Sequence, residues 1–418
     1  MRQRFTGLWR EPAFLTLWAG QTISVFGDQV SLLALPLSAV LSAHATAAQM
    51  GVLTLAQTAP YLLIQLIAGV WVDRVRRRPL LIAADLGRAL LLASIPLAAL
   101  VGRLGLPQLY LVAFLANVLT VLFSVSYQAY LPALVSREHL SDGNAKLTVS
   151  RQVAQLAGPG LAGVAVQALT APVAILVDAV SFVGSGLCLA TLRVAESSPA
   201  HGGRRRRLWR DIGEGLHWVA GQPLLRAGAG SAGTYNFFNT VLTTVYLLYL
   251  TRDLRLTPAA VGVIQMAGGV GGLAGAVVAT RITGRIGLGR AIMWGLALAS
   301  GANLLIPAAG RLSAAALPLL LSARFMSGIG QPLYNINQAS LRQALTPDRL
   351  RGRMSATMQF LVAGTAPLGA LLGTALGRGM GPWATLLIGA AGTVLAVLWV
   401  VASPLRTLRA QPTTPAAD

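Results

Sequence analysis

Gly69-Val70-Trp71-Val72-Asp73-Arg74-Val75-Arg76-Arg77-Arg78 is the stretch on which the fold turns. It lies between two long apolar runs. A charged side chain near the middle of a membrane helix costs about 3 kcal/mol or more. The chain must therefore leave the hydrocarbon over this loop and re-enter after it. A basic run alone would mark only a cytoplasmic loop. Here the spacing Gly-x-x-x-Asp-Arg-x-x-Arg-Arg follows a second apolar run, which is a more specific pattern. An Asp at a helix end can hold a facing helix N-terminus or an arginine. Gly69, Asp73, Arg74, Arg77 and Arg78 therefore read as a gating group and not as substrate contacts.

Composition agrees with a bilayer. The 418 residues are 55% hydrophobic and 11% charged, with a mean hydropathy of +0.64. A soluble domain carries about 25% charged residues. The net charge of +20 might suggest nucleic acid, but the arginines fall between apolar runs and do not line one solvated face. No nucleic-acid partner is expected. Cys188 is the only cysteine and the four histidines are scattered, so neither a disulfide, a metal site nor a cofactor is indicated. No phosphate-binding Gly-x-x-x-x-Gly-Lys-Ser/Thr is present, and Lys146 is the only lysine. The first apolar run, from near Phe14, is too long for a signal-peptide core and lacks a small-residue cleavage site.

A bilayer core takes about 20 apolar residues per helix. About twelve such spans are expected, near 14–40, 50–72, 79–101, 108–132, 149–168 and 171–192, then 225–250, 259–280, 291–309, 313–339, 355–376 and 383–402. This is an all-α integral membrane protein built as two six-helix pseudo-repeats. Residues 1–193 form the first bundle and 223–403 the second. A cytoplasmic linker, 194–222, joins them. It holds Arg204–Arg207 and then a helix-spaced segment with Trp209 and Trp218 as interface anchors, expected on the membrane surface. Residues 404–418, rich in Pro, Thr and Ala, read as a disordered cytoplasmic tail. With the N-terminus inside, cytoplasmic segments collect most arginines, while outer segments hold only Arg103, Arg252, Arg255, Arg311 and Arg378. That asymmetry puts both termini in the cytoplasm.

Several of these segments carry a family likeness. The 69–78 loop resembles the loop between helices 2 and 3 of major facilitator superfamily transporters, with Arg76 where the family has a second glycine. Leu131–Leu140 aligns with Leu341–Leu350, and the same offset carries Gly163 onto Gly373. Such parallel repeats are the arrangement of that superfamily. Gly330–Arg353 resembles the loop between helices 10 and 11 of its macrolide-efflux and siderophore-exporter branch, the transmembrane secretion effector group. Ser136–Leu140 with Asn144 and Ala145 is similar to that branch's loop between helices 4 and 5. The resemblance spans nearly the whole chain. It implies a proton-driven exporter and no particular cargo.

Gly158-Pro159-x-x-Ala162-Gly163 resembles the end of the superfamily's antiporter motif, with Ala145 and Ala154 where upstream glycines would stand. Physically, small residues let helices approach and a proline kinks one. Such a seam would seal one path, or simply pack helices. Arg324-x-x-x-Gly328-x-Gly330 resembles an Arg-centred motif usually found in the fourth span, where this chain has Asn117. An arginine at that depth must face a partner or water. Asp28 lies near the middle of the first span, and exporters of this type often carry an acid there. Asp28 is the expected proton-coupling residue, with Arg324 and Asp178 as further members; a structural pair with Arg324 is the competing reading. Asp178 could simply be wet near the outer end of its span. Asp85 and Arg88, one turn apart, should pair locally.

The expected substrate cavity draws on Gln57, Tyr61, Tyr235, Asn236, Asn239, Gln265, Asn303, Tyr334 and Asn335, together with Gln65 and Asn337. Apolar walls with a few polar groups suit a small amphiphilic substrate. The expectation is a monomeric, proton-coupled exporter in a bacterial inner membrane, a drug or metabolite/proton antiporter working by alternating access. The alternative is an importer or facilitator of a small solute on the same fold. A membrane-embedded enzyme would need a catalytic cluster, and none is apparent.

Overall fold

The computed structural model describes residues 8, 11–64, 68, 71–72, 75–135, 139–192, 208–312 and 315–409. Among these the chain is helical throughout, without strands. The helices are α1 (Pro12–Leu37), α2 (Ala47–Leu63), α3 (Arg77–Leu100), α4 (Leu106–Leu134), α5 (Leu140–Leu169), α6 (Ala171–Thr191), α7 (Leu208–Gly221), α8 (Pro223–Leu248), α9 (Pro258–Ile286), α10 (Leu288–Asn303), α11 (Leu305–Ala309), α12 (Ala316–Leu345) and α13 (Asp348–Val401). A proline in the first turn opens α1, α4, α6 and α8, where its missing N–H costs nothing.

The two expected spans at 355–376 and 383–402 are continuous in α13. Gly381 breaks the helix at φ +81° and Pro382 restarts it. Only glycine takes that backbone angle without strain. Among the described residues, seven stretches are long and apolar enough to cross a membrane: Pro12–Ser42, Arg77–Leu100, Leu106–Gln128, Ala171–Thr191, Pro258–Ile286, Leu288–Ala309 and Thr357–Val401. The remaining long helices, α5, α8 and α12, carry more polar side chains. Large apolar side chains such as Leu90, Leu100 and Val277 stand exposed on the outer faces, as a lipid-facing surface requires.

The chain divides into two compact units. Unit 1 comprises residues 1–45, 56–204 and 257–262; unit 2 comprises 46–55, 205–256 and 263–418. The expected division at the linker is thus modified by two exchanged segments. The start of α2 belongs to unit 2 because Gly51 leaves room for the Thr374 side chain and Ala47 lies against Gly377. The start of α9 belongs to unit 1, where Gly262 meets Gly163.

In unit 1, α1 packs on α5 and α6, and α3 on α4 and α6. Leu8, Phe14, Leu17, Leu81, Phe123 and Leu189 fill its core. In unit 2, α8 packs along α13, and α10 packs between α12 and α13. One expectation needs correction. The tail is not disordered over residues 404–409. Pro404–Thr407 forms a 3-10 turn, Leu405 is fully buried, and the Leu288 and Gly289 amides donate to the Arg409 and Leu408 carbonyls. The chain end thereby satisfies amides that the N-terminus of α10 would leave orphaned. Residues 410–418 lie outside the described residues. In α7, Val219 and Trp218 pack on Leu225, Met354 and Met358. Its last turn thus finds an apolar seat within unit 2, while Leu216 on the same helix stands exposed.

Candidate functional site

The ionisable residues of unit 1 converge between α1, α3 and α6. Arg88 on α3 forms an ion pair with Asp85 one turn earlier, as expected for a local pair. Both are buried. The guanidinium is sandwiched between two rings, 3.9 Å from the centroid of Phe182 on α6 and 4.6 Å from that of Phe123 on α4. These cation–π contacts supply attraction that lipid and packing alone would not. The pair is more than local, however. Asp28 interacts electrostatically with Arg88 and Asp85, and Asp178 with Asp28 and Arg88.

Gly27 explains how Asp178 reaches this group. A Cβ at Gly27 would stand 2.5 Å from Asp178 Oδ1 and would also strike Ser181 Oγ. The missing side chain lets α6 press its carboxylate against the α1 backbone beside Asp28. Ser181 Oγ donates to Asp178 Oδ1 at 3.1 Å and to the Asp178 carbonyl at 2.8 Å. Gln21 Nε2 donates to Ser185 Oγ at 3.3 Å on the same two helices. Asp178 is 1% exposed, so the reading of it as a wet outer-end residue is wrong: close packing at Gly27 shuts water out. Sequence reasoning identified Asp28 and Asp178 but missed Arg88, Phe123 and Phe182 as their setting. The signal was present in Asp85-x-x-Arg88, two opposite charges on one helix face inside an apolar span.

The gating group is divided. Gly69, Asp73 and Arg74 lie outside the described residues, as does Gln65. Arg78 Nε donates to the Leu189 carbonyl at 3.1 Å, and its Nη2 donates to the Ala190 carbonyl. Arg78 thus caps the C-terminus of α6, where a cation is favoured. In the antiporter-like helix, Gly158 admits the side chain of Gln29 from α1. Gly163 sits against Gly262 of α9, whose Cα is 2.9 Å from a Cβ built on Gly163, while a Cβ on Gly262 would be 2.5 Å from the Pro159 carbonyl oxygen. Gln57 is half-buried and Tyr61 exposed within the same unit.

In unit 2 the polar residues form separate sets. Gln331 Nε2 donates to Tyr235 Oη at 2.6 Å, and Asn335 Nδ2 donates to Gln331 Oε1 at 3.3 Å. Gln331 is the member that sequence reasoning missed. Tyr334 Oη shares a 2.9 Å hydrogen bond with Ser231 Oγ. Asn236 Nδ2 donates to the Val362 carbonyl and to Thr365 Oγ1, tying α8 to α13. Asn337 Nδ2 donates back to the Leu333 carbonyl of its own helix. Asn239 is half-buried, and Asn303 is buried with Nδ2 unpartnered. Arg324 and Gln265 lie on the facing helices α12 and α9.

A family model described as Major Facilitator Superfamily matches the chain twice in succession, over residues 17–228 and 228–418. The chain belongs to the Major Facilitator Superfamily. As a major facilitator protein it is a multi-pass membrane transporter and not an enzyme. It is 29% identical over 418 residues to the multidrug efflux pump Tap of Mycolicibacterium fortuitum, covering 96% of this chain and 97% of that protein. It is 25% identical to YfiS of Bacillus subtilis, an uncharacterized transporter of the same type, over 89% of this chain and 88% of that one. Among solved structures, a bacterial homologue of the iron transporter ferroportin in its inward-facing state matches this major facilitator chain with a TM-score of 0.74, covering 95% of this chain and 99% of that one. Its 18% identity speaks to fold alone.

Proposed function

We propose that the protein is a proton-coupled exporter of small amphiphilic compounds in a bacterial inner membrane, with both termini cytoplasmic. The observation that carries the reading is the charge balance in unit 1. Arg88 is the one cation within electrostatic reach of three carboxylates, Asp85 in contact with it and Asp28 and Asp178 further off. Arg88 is matched by Asp85, so the Asp28–Asp178 pair has no cation of its own. Two ionised carboxylates so placed, Asp178 buried and Asp28 half-buried, repel strongly. A proton is the smallest charge that relieves this. A site that gains and loses one proton as its wetting changes is what coupling to a gradient needs. Export is favoured by the resemblance to a multidrug efflux pump over almost the full length of both chains. Amphiphilic cargo fits the apolar walls and separate polar sets of unit 2.

The test uses inside-out vesicles with an imposed pH gradient and a fluorescent lipophilic dye. Gradient-driven uptake should vanish with a protonophore. In Asp28→Asn it should fall at least tenfold, while passive equilibration of the dye is retained. Uptake that ignores the gradient in the wild type would sink the coupled exporter and favour a facilitator. Full gradient-driven uptake in both Asp28→Asn and Asp178→Asn would remove these two residues from the coupling role.

A further inference from the structure

Unit 2 holds the opposite imbalance. Arg324 is the ninth residue of α12, about 12 Å along the helix from its start, well inside the apolar span. Helices α8 to α12 contain no Asp or Glu, and the one acid of α13, Asp348, is its first residue. Arg324 takes part in no ion pair or hydrogen bond among the described residues, and its Nε is enclosed without a partner. Arg88 also has an enclosed, unpartnered Nε, but unlike Arg324 it has an ion-pair partner in Asp85.

The surroundings of Arg324 are nonetheless built. Gly268, Gly271 and Gly328 have no side chains, which brings the backbones of α9 and α12 into contact. Gly268 faces the Arg324 side chain, with Nε 3.8 Å from where a Cβ would stand. The helices run in the same direction there, since Gly268 meets Arg324, Gly271 meets Phe325 and Gly275 meets Ile329. Side chains on a helix lean toward its N-terminus. Arg324 therefore extends from the level of Gly268 toward that of Gln265, one turn earlier on α9. From α8, the ring of Tyr246 lies 5.8 Å from the guanidinium carbon. Tyr246 is 4% exposed, and its hydroxyl has no partner; Gln265 Oε1 is likewise enclosed and unpartnered. A buried polar group left without a partner costs about 1–3 kcal/mol. Here three such groups, Arg324, Tyr246 and Gln265, belong to one helix junction.

We infer that Arg324, Tyr246 and Gln265 form a binding subsite for an anionic group, a carboxylate, on the transported compound. This rests on the export reading and sharpens it: the cargo is an amphiphile with a negative end. Arg324 supplies the charge and a planar set of donors. The Tyr246 hydroxyl donates a further hydrogen bond, and the Gln265 amide, turned over, donates through its nitrogen. The proton-binding carboxylates and the anion subsite then lie in different units, each complete in itself.

The experiment compares a xanthene dye carrying a free carboxylate with its methyl ester, by fluorescence anisotropy on the purified full chain in lipid nanodiscs. The wild type should bind the acid at least tenfold more tightly than the ester, the size of one charge-assisted hydrogen bond. Arg324→Gln should erase that preference by weakening acid binding far more than ester binding. Tyr246→Phe should weaken acid binding severalfold and ester binding less, and Arg324→Lys should keep part of the preference. A cooperative thermal melt of each variant shows that it is folded. Equal binding of acid and ester by the wild type, or a preference that survives Arg324→Gln, overturns the subsite. A preference for the acid without gradient-driven transport upholds the subsite and overturns the exporter.

Discussion

At the scale of the residue, the two buried arginines show what a charge in this protein needs. Arg88 has an acid and two aromatic faces, while its Nε is enclosed without a partner. Removing one member of a buried ion pair strands the other, at about 3–5 kcal/mol, whereas removing both is often nearly neutral. Arg88→Leu should therefore lower the melting temperature of the detergent-solubilised protein by several degrees. The double variant Asp85→Leu/Arg88→Leu should recover most of the loss. Equal melting of the single and double variants would show that the pair does not carry the stability of this region. Neither ring contact was legible in the sequence, because Phe123 and Phe182 lie far from Arg88 along the chain. Only the charges and their one-turn spacing could be read.

At the scale of the element, glycines set where helices meet. The α5–α9 crossing is a contact of backbone with backbone at Gly163 and Gly262. Gly262→Leu would force these helices apart, because the displaced atoms are main-chain atoms and no rotamer change relieves them. Loss of more than nine-tenths of transport is expected at normal expression, with the thermal stability reduced. Gly184→Ala on α6, which meets no atom within 4 Å, should transport like the wild type and serves as the control. Wild-type transport by Gly262→Leu would deny the crossing any part in the working protein. That glycines at 158 and 163 permit close packing was readable from the sequence; that Gln29 and Gly262 are their partners was not. Helix bounds came through well because twelve apolar runs separated by charge leave little freedom. The expected break between 376 and 383 falls at Gly381, whose positive φ kinks α13 into two helices.

At the scale of the whole molecule, the segment from Pro404 to Arg409 belongs to the fold. Truncation after Arg409 should leave melting and transport unchanged, since both carbonyls that cap α10 are kept. Truncation after Ser403 deletes fully buried Leu405 and the carbonyls that cap α10. It should lower the melting temperature by several degrees, burial of one leucine being worth about 1.5–3 kcal/mol. Identical melting of the two truncations would show the docked tail to be dispensable. A Pro/Thr/Ala-rich tail looks unstructured by composition, and one leucine at the right distance is too weak a signal to contradict it.

The sequence by itself determined the membrane, the helices and the repeated halves. Hydrocarbon tolerates only closed backbone hydrogen bonding and few charges, so hydropathy and arginine placement leave little choice. It also singled out Asp28, Asp178 and Arg324, because ionisable residues inside apolar runs are conspicuous. Only the tertiary structure decided which of them keep company. Asp28 and Asp178 meet because Gly27 removes the side chain that would separate α1 from α6, while Arg324 meets no acid because none exists on the helices around it. Pairing depends on which helix faces pack together. Those faces are chosen by small residues and fitted side chains distant in the chain, so that no local pattern records them.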